Sequence, residues 1–134
     1  MILNPTEALR ALQAAALLAR LAPTASARAR VALHAAPMPG TPGATSGIGA
    51  VQVTLPLLDA VGAVSGTAVE LAVPLEGQRA AGLPITWARL IDAGGTVLLD
   101  LDVTLAGQGG AVQLDAVEGY TGAYVRLTRL ALAY

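Results

Sequence analysis

Few residues in this chain could do chemistry. There is one histidine, His34, and one tryptophan, Trp87. A carboxylate pair, Asp100 and Asp102, is spaced two residues apart, and Asp115 follows. Carboxylates at alternate strand positions point the same way, as a shared Ca²⁺ or Mg²⁺ would require. A calcium site needs six or more oxygens, and no ligand-bearing loop surrounds this pair. The spacing therefore predicts a solvated outer row, partly neutralised by Arg126 or Arg129, with no metal and no cofactor. His34 has only Arg28 and Arg30 on its own strand face. A general base or metal ligand needs partners, so His34 is expected at a surface or interface.

The chain has no cysteine, which removes disulfides and thiolate chemistry. No serine sits in a nucleophile elbow, so acyl transfer lacks its parts. Gly47-Ile48-Gly49 and Gly107-Gln108-Gly109-Gly110 precede strands rather than helices. The chain has no lysine for a phosphate loop, so both read as turns. Trp87 could stack on a sugar ring, but with Ile85 and Ile91 as face-mates it reads as a core anchor. The residues therefore predict a protein that is not an enzyme.

The element that must position these groups is a hairpin over Leu83–Leu105, turning at Asp92-Ala93-Gly94-Gly95. Asp92 can accept hydrogen bonds from the turn, and the two glycines permit positive φ. On the outgoing strand Val97, Leu99, Leu101, Val103 and Leu105 alternate toward a core. Leu98, Asp100, Asp102 and Thr104 face away. On the incoming strand Arg89 shares a face with Ile85, Trp87 and Ile91. Either Arg89 lies at the sheet margin with its stem packed, or a bulge resets the register.

Ahead of the hairpin, Asn4, Pro5 and Glu7 fit the cap, first and third positions of a helix. Leu9, Leu12, Leu17, Leu18 and Leu21 form a wide apolar arc, and Pro23 ends the helix. It either lies across its own β-domain or docks on a neighbouring subunit. Arg28–Ala36 and Ile48–Leu55 alternate as strands, separated by a Pro/Gly-rich loop over Pro37–Gly47 that reads as an exposed excursion. Short strands and Gly/Pro turns continue to the C-terminus. The expected fold is mainly β: an antiparallel β-sandwich, jelly-roll or Ig-like, of about seven or eight strands with one N-terminal α-helix. Residues 1–24 form the helical docking arm and residues 25–134 the sandwich.

Only 13% of the 134 residues are charged, about half the usual share of about 25%. All eight basic residues are arginine, and the net charge is −1, so there is no footprint for nucleic acid. The longest uncharged run, Val31–Leu58, holds four prolines and four glycines, unlike any spanning helix. The first helix is interrupted by Arg10, Gln13 and Arg20 and has no basic leader ahead of it. Neither membrane insertion nor a signal peptide is expected. A surface poor in charge suits an interface core. The residues expected there are Leu9, Leu12, Leu17 and Leu21 on the helix, with Tyr120, Tyr124, Arg126 and Tyr134 near the C-terminus.

The stretch Ile-Thr-Trp-Ala-Arg-Leu-Ile-Asp-Ala-Gly-Gly-Thr-Val-Leu-Leu-Asp-Leu-Asp-Val, residues 85–103, resembles small structural proteins encoded in the virion-morphogenesis clusters of tailed bacteriophages. The likeness runs through Thr86, Trp87, Arg89, Asp92, Gly95, Asp100 and Asp102. It extends loosely to the N-terminal helix, the Arg-Val-Ala-Leu-His strand and the strand ending Val-Thr-Leu-Pro. The closing strand departs from the pattern, carrying tyrosine and arginine in place of a Thr/Ser/Val run. The resemblance implies a non-enzymatic component of head, neck or tail. Such a subunit would be made in the host cytoplasm, reside in the virion, and partner copies of itself and other virion proteins. The alternative is a carbohydrate- or receptor-binding β-module. A hydrolase using the carboxylate pair is more distant.

Overall fold

The computed structural model describes residues 5–133. Helix α1 spans Glu7–Arg20 and is capped by Thr6, whose hydroxyl accepts from the Leu9 N–H at 3.2 Å. The cap expected at Asn4 falls outside the described residues. With Thr6 in that role, Glu7 is the first helical residue rather than the third, and it still places a carboxylate in the first turn, where the helix dipole favours it. Ala14, Leu17 and Leu21 repeat every three or four residues on one face and are buried.

Nine strands follow among the described residues: β1 Arg30–His34, β2 Val51–Pro56, β3 Gly62–Ser65, β4 Ala68–Leu71, β5 Leu75–Gln78, β6 Trp87–Ile91, β7 Val97–Leu105, β8 Val112–Leu114 and β9 Tyr124–Ala133. Their order is β2-β1-β6-β7-β8-β9-β4-β3. β5 pairs with the first part of β9, and β4 with its last three residues.

The expected two-layer antiparallel sandwich is thereby corrected. The strands form a single mixed sheet that curls into a half-barrel, bringing β5 and β2 together. The Ala80 N–H donates to the Gln52 carbonyl at 2.7 Å. At Gly77 a Cβ would stand 2.9 Å from Leu55 Cδ2 and 2.9 Å from the Thr54 carbonyl oxygen. Glycine is what lets the two ends of the sheet approach.

The mixed character comes from β7 and β8, which are parallel, with Val103 opposite Val112 and Leu105 opposite Leu114. Parallel neighbours usually need a connection of about a dozen residues or more. Here residues 106–111 suffice, because Gly107 and Gly109 adopt positive φ and flanking side chains tie the loop down. Thr104 Oγ1 accepts from the Gly110 N–H at 3.0 Å, and Gln113 Oε1 accepts from Gly107 at 3.0 Å. Asp102 Oδ1 accepts from Ala111 at 3.2 Å. Glycine runs between strands ordinarily signal a hairpin, so periodicity alone did not reveal this parallel return.

The main core lies inside the curl. Val31, Leu33, Leu55, Ala88, Leu90, Leu114, Leu127 and Leu130 pack there with Ala14, Leu17 and Leu21 of α1. The helix rests on β3 and β4, and its last residue, Arg20, reaches Asp92 in the β6–β7 turn at 2.7 Å. Of the two expected placements, the helix takes the one across its own β-domain. Burying a leucine of this kind contributes about 1.5–3 kcal/mol, enough to hold the arm down. Among the described residues no helix is long and apolar enough to cross a membrane.

Candidate functional site

Strand register brings together the chemistry-bearing residues that the sequence left scattered. On one side of the β1–β6–β7 sheet His34 lies opposite Trp87, Ala32 opposite Arg89, Arg89 opposite Asp100, and Trp87 opposite Asp102. Ala88 and Leu90 point the other way, into the main core. Trp87 is fully buried, as an anchor should be, but it anchors the opposite face from the one expected. That resolves Arg89. It is neither marginal nor displaced: it belongs to the Trp87 face, which carries Asp100. A bulge does occur, but on β7: consecutive Leu90 and Ile91 lie opposite Leu99 and Val97, and Leu98 is the extra residue, beyond the Arg89–Asp100 pair.

This second face forms a compact polar-aromatic cluster. The His34 and Trp87 rings stack at 4.4 Å between centroids, 14° apart. The Arg89 guanidinium carbon lies 5.1 Å from the Trp87 ring centroid, in cation–π range. Arg89 Nε and Nη2 donate to the two oxygens of Asp100 at 2.8 and 3.2 Å. Both side chains are only 4% exposed, so the expectation of a solvated aspartate row fails at Asp100. Asp102 keeps its exposed position and fastens the β7–β8 loop instead. Arg126 and Arg129 turn elsewhere, to Glu76 at 2.6 Å and Glu70 at 4.0 Å.

The cover over this cluster is the Pro37–Gly47 segment and its flanks, which the sequence casts as an exposed excursion. The segment instead folds back onto its own sheet. Thr86 Oγ1 donates to the Ala36 carbonyl at 2.7 Å. The Gly43 N–H donates to Asp100 at 3.0 Å, and Arg89 donates to the Ala44 carbonyl at 2.8 Å. His34 meets the backbone of Gly49 and Ile48. A Cβ at Gly49 would stand 2.9 Å from the Ala36 Cβ, so glycine closes the neck of the loop. His34 is thus buried beneath the loop and not at a surface.

Burial, followed by the charge of Arg89, lowers the His34 pKa from its ordinary value and keeps the ring neutral. Burial alone would raise the Asp100 carboxyl. The hydrogen bonds from Arg89 and the Gly43 N–H, with the Arg89 charge, outweigh it and hold the carboxyl below the usual carboxylate range. Asp92 is lowered as well, first by the Thr96 N–H and then by Arg20. A neutral histidine beside an ion-paired aspartate could in principle shuttle protons. Here His34 Nδ1 and Trp87 Nε1 are buried without a hydrogen-bond partner among the described residues, and Asp100 is saturated by its own arginine and loop. Among the described residues no three His, Cys, Asp or Glu side chains converge as metal ligands.

All seven residues that carried the resemblance have structural work in this fold. Thr86 pins the loop and Trp87 is its platform. Arg89 and Asp100 are its clasp. Asp92 holds the turn and Arg20, Gly95 supplies a φ of +90°, and Asp102 ties the parallel return.

The residues expected at an interface divide into three groups. Leu17 and Leu21 are buried in the chain's own core and are unavailable to a neighbour. Leu9 and Leu12 remain 47% and 67% exposed, and Tyr120 and Tyr124 are 85% and 71% exposed. Arg126 is exposed beside Glu76. Tyr134 lies outside the described residues.

The loop carrying Tyr120 is held by Arg79, a buried arginine that the sequence gave no reason to single out. Its guanidinium donates to the Val117 carbonyl at 2.6 Å and the Leu83 carbonyl at 2.9 Å, and its backbone pairs with Ala123 and Gly122. Glu76 lies three residues before Arg79 in the sequence but pairs with Arg126 instead, so Arg79 is left to the loop carbonyls.

Compared with protein-family models, curated proteins and solved structures, the chain matches none.

Proposed function

We propose that this chain is a non-enzymatic structural subunit of a tailed-phage virion, acting through protein–protein assembly contacts. The observation that carries the reading is where the large side chains lie. Among the described residues, the one constellation with catalytic residue types is spent bracing a loop, while Leu9, Leu12, Tyr120 and Tyr124 are left in water. On a chain with so few charges, exposed leucine and tyrosine desolvate cheaply, and tyrosine is enriched where interfaces gain their energy. The likeness of residues 85–103 to virion proteins supports the setting, and the structural role of each motif residue accords with it.

The alternative, a carbohydrate- or receptor-binding module, loses its best aromatic platform because Trp87 is buried; it would have to rely on Tyr120 and Tyr124. Surface substitutions separate the readings. Leu9→Asp with Leu12→Asp should leave the fold intact and abolish co-sedimentation of the chain with particles from the producing cells. Particles that assemble without the chain would contradict the proposal. So would variant chains that incorporate as well as the parent.

A further inference from the structure

The loop over the polar-aromatic cluster is lightly held. None of residues 37–47 is buried. Among the described residues two hydrogen bonds join it to the sheet, from the Gly43 N–H to Asp100 and from Arg89 to the Ala44 carbonyl, and both end on one ion pair. At its base Thr86 holds the Ala35 and Ala36 carbonyls. A segment with so few buried contacts opens at low cost, while the rest of the fold stays closed.

What the loop covers is sensitive to one proton. His34 is 2% exposed and stacked on Trp87. A neutral imidazole has one nitrogen without a hydrogen and tolerates such a place. An imidazolium donates from both nitrogens, and the buried Nδ1 has no acceptor among the described residues. The charges facing the ring are few. β6 contributes Arg89 and β7 contributes Asp100, and these two neutralise each other. Asp102, opposite Trp87, is exposed and tied to the Ala111 N–H. Arg30 lies further along the His34 face of β1. Neither the loop nor β2 carries a titratable group. A proton on His34 therefore places a net positive charge in a dry site that already holds Arg89, which is costly while the loop is shut.

From this arrangement we infer that the 37–47 loop is an acid-released lid: protonation of His34 opens it and uncovers the face of Trp87, Arg89 and Asp100 while the curled sheet stays folded. The inference goes beyond the assembly reading and does not rest on it. Its sign follows from linkage. Under the closed loop the His34 pKa lies below its ordinary 6.5. With the loop open, water reaches the ring and the pKa returns toward that value. The open form therefore binds the proton more tightly, and acidification draws the population toward it. The lid is fully closed above pH 6.5 and loosens as pH falls toward the closed-state value. Asp100, held below 3.8, keeps its charge in this window, so the ion pair is not what titrates.

The Gly43 N–H, which bonds to Asp100 across the lid, is the reporter. Amide hydrogen exchange of the purified full chain, corrected for the intrinsic pH dependence of exchange, gives its protection factor. From pH 7.5 to pH 5 that factor should fall by about fivefold or more, the ceiling being the ratio of proton affinities of the open and closed forms. The amides of β1 and β6 should keep their protection across the same range. His34→Phe and His34→Gln, neither of which takes up the proton, should each hold the Gly43 factor flat. The inference is overturned if Gly43 protection in the parent chain does not change with pH, or if both variants lose it as steeply as the parent. Loss of protection in β1 and β6 in step with Gly43 would also overturn it, because the whole domain and not the lid would then be opening.

Discussion

Arg89 and Asp100 stand directly opposite each other on β6 and β7 and are joined by two hydrogen bonds, both side chains almost wholly out of water. A buried pair of this kind contributes little net stability, because desolvating two charges cancels most of their attraction. Removing one partner is costly. Asp100→Ala should destabilise the fold by about 3–5 kcal/mol and free the loop that Gly43 and Ala44 anchor. Arg89→Met with Asp100→Leu should recover much of that loss. Urea unfolding measures the first effect, and limited proteolysis between residues 37 and 49 the second. Equal destabilisation by the single and double variants would show that the pair is not the clasp.

Stability should fall on acidification in two stages. The folded pKa of His34 lies below its ordinary 6.5, so the unfolded chain takes up a proton there first. That stability is full above pH 6.5 and is lost as pH falls through the folded value. Asp100 is likewise depressed from 3.8; its share is present above that pH and is lost below it. His34→Phe, which keeps a ring on Trp87, should remove the first stage and retain the second. Thermal melts from pH 7.5 to pH 3 would show it, and an unchanged first stage in the variant would assign it to another group.

Closure of the half-barrel depends on Gly77. A side chain there meets Leu55, Thr54 and Val53 within 3.0 Å, so Gly77→Val should cost about 1–3 kcal/mol by forcing β5 from β2. Gly40→Ala has nothing within 4 Å and no positive φ, and should change stability by less than about 0.5 kcal/mol. Chemical denaturation of the two variants side by side tests the contrast.

Trp87 fluorescence should respond to the loop and not to sugars. The ring is sealed under His34 and Arg89, so glycans should leave its emission unchanged and acrylamide should quench it poorly. Asp100→Ala should make it quenchable. Glycan-dependent quenching of Trp87 in the parent chain would favour the carbohydrate-binding alternative.

Much of this architecture was legible in the residues. Alternation in Val31/Leu33 and Leu99/Leu101 marked one face of each strand, and that face is the core, whereas Leu17 and Leu21, expected at an interface, are buried in the chain's own core. The misplacements share one cause: periodicity assigns two faces to a strand and does not say what covers the second. The Pro/Gly loop covers it here, which turned Asp100 and His34 from surface groups into buried ones. Trp87 and Arg89 were correctly placed on one face, but only the pairing to β1 and β7 shows that this is the face of Asp100 and His34. The parallel return at residues 106–111 was hidden because a Gly-rich turn between strands reads as a hairpin, and the flanking side chains that hold it, Asp102, Thr104 and Gln113, leave no periodic signal.

The most direct test of an assembly role is the native mass of the purified chain across a wide concentration range. The exposed Leu9, Leu12, Tyr120 and Tyr124 predict a discrete oligomer that Leu9→Asp with Leu12→Asp, or Tyr120→Ser with Tyr124→Ser, dissociates. A single-chain mass at every concentration would contradict it.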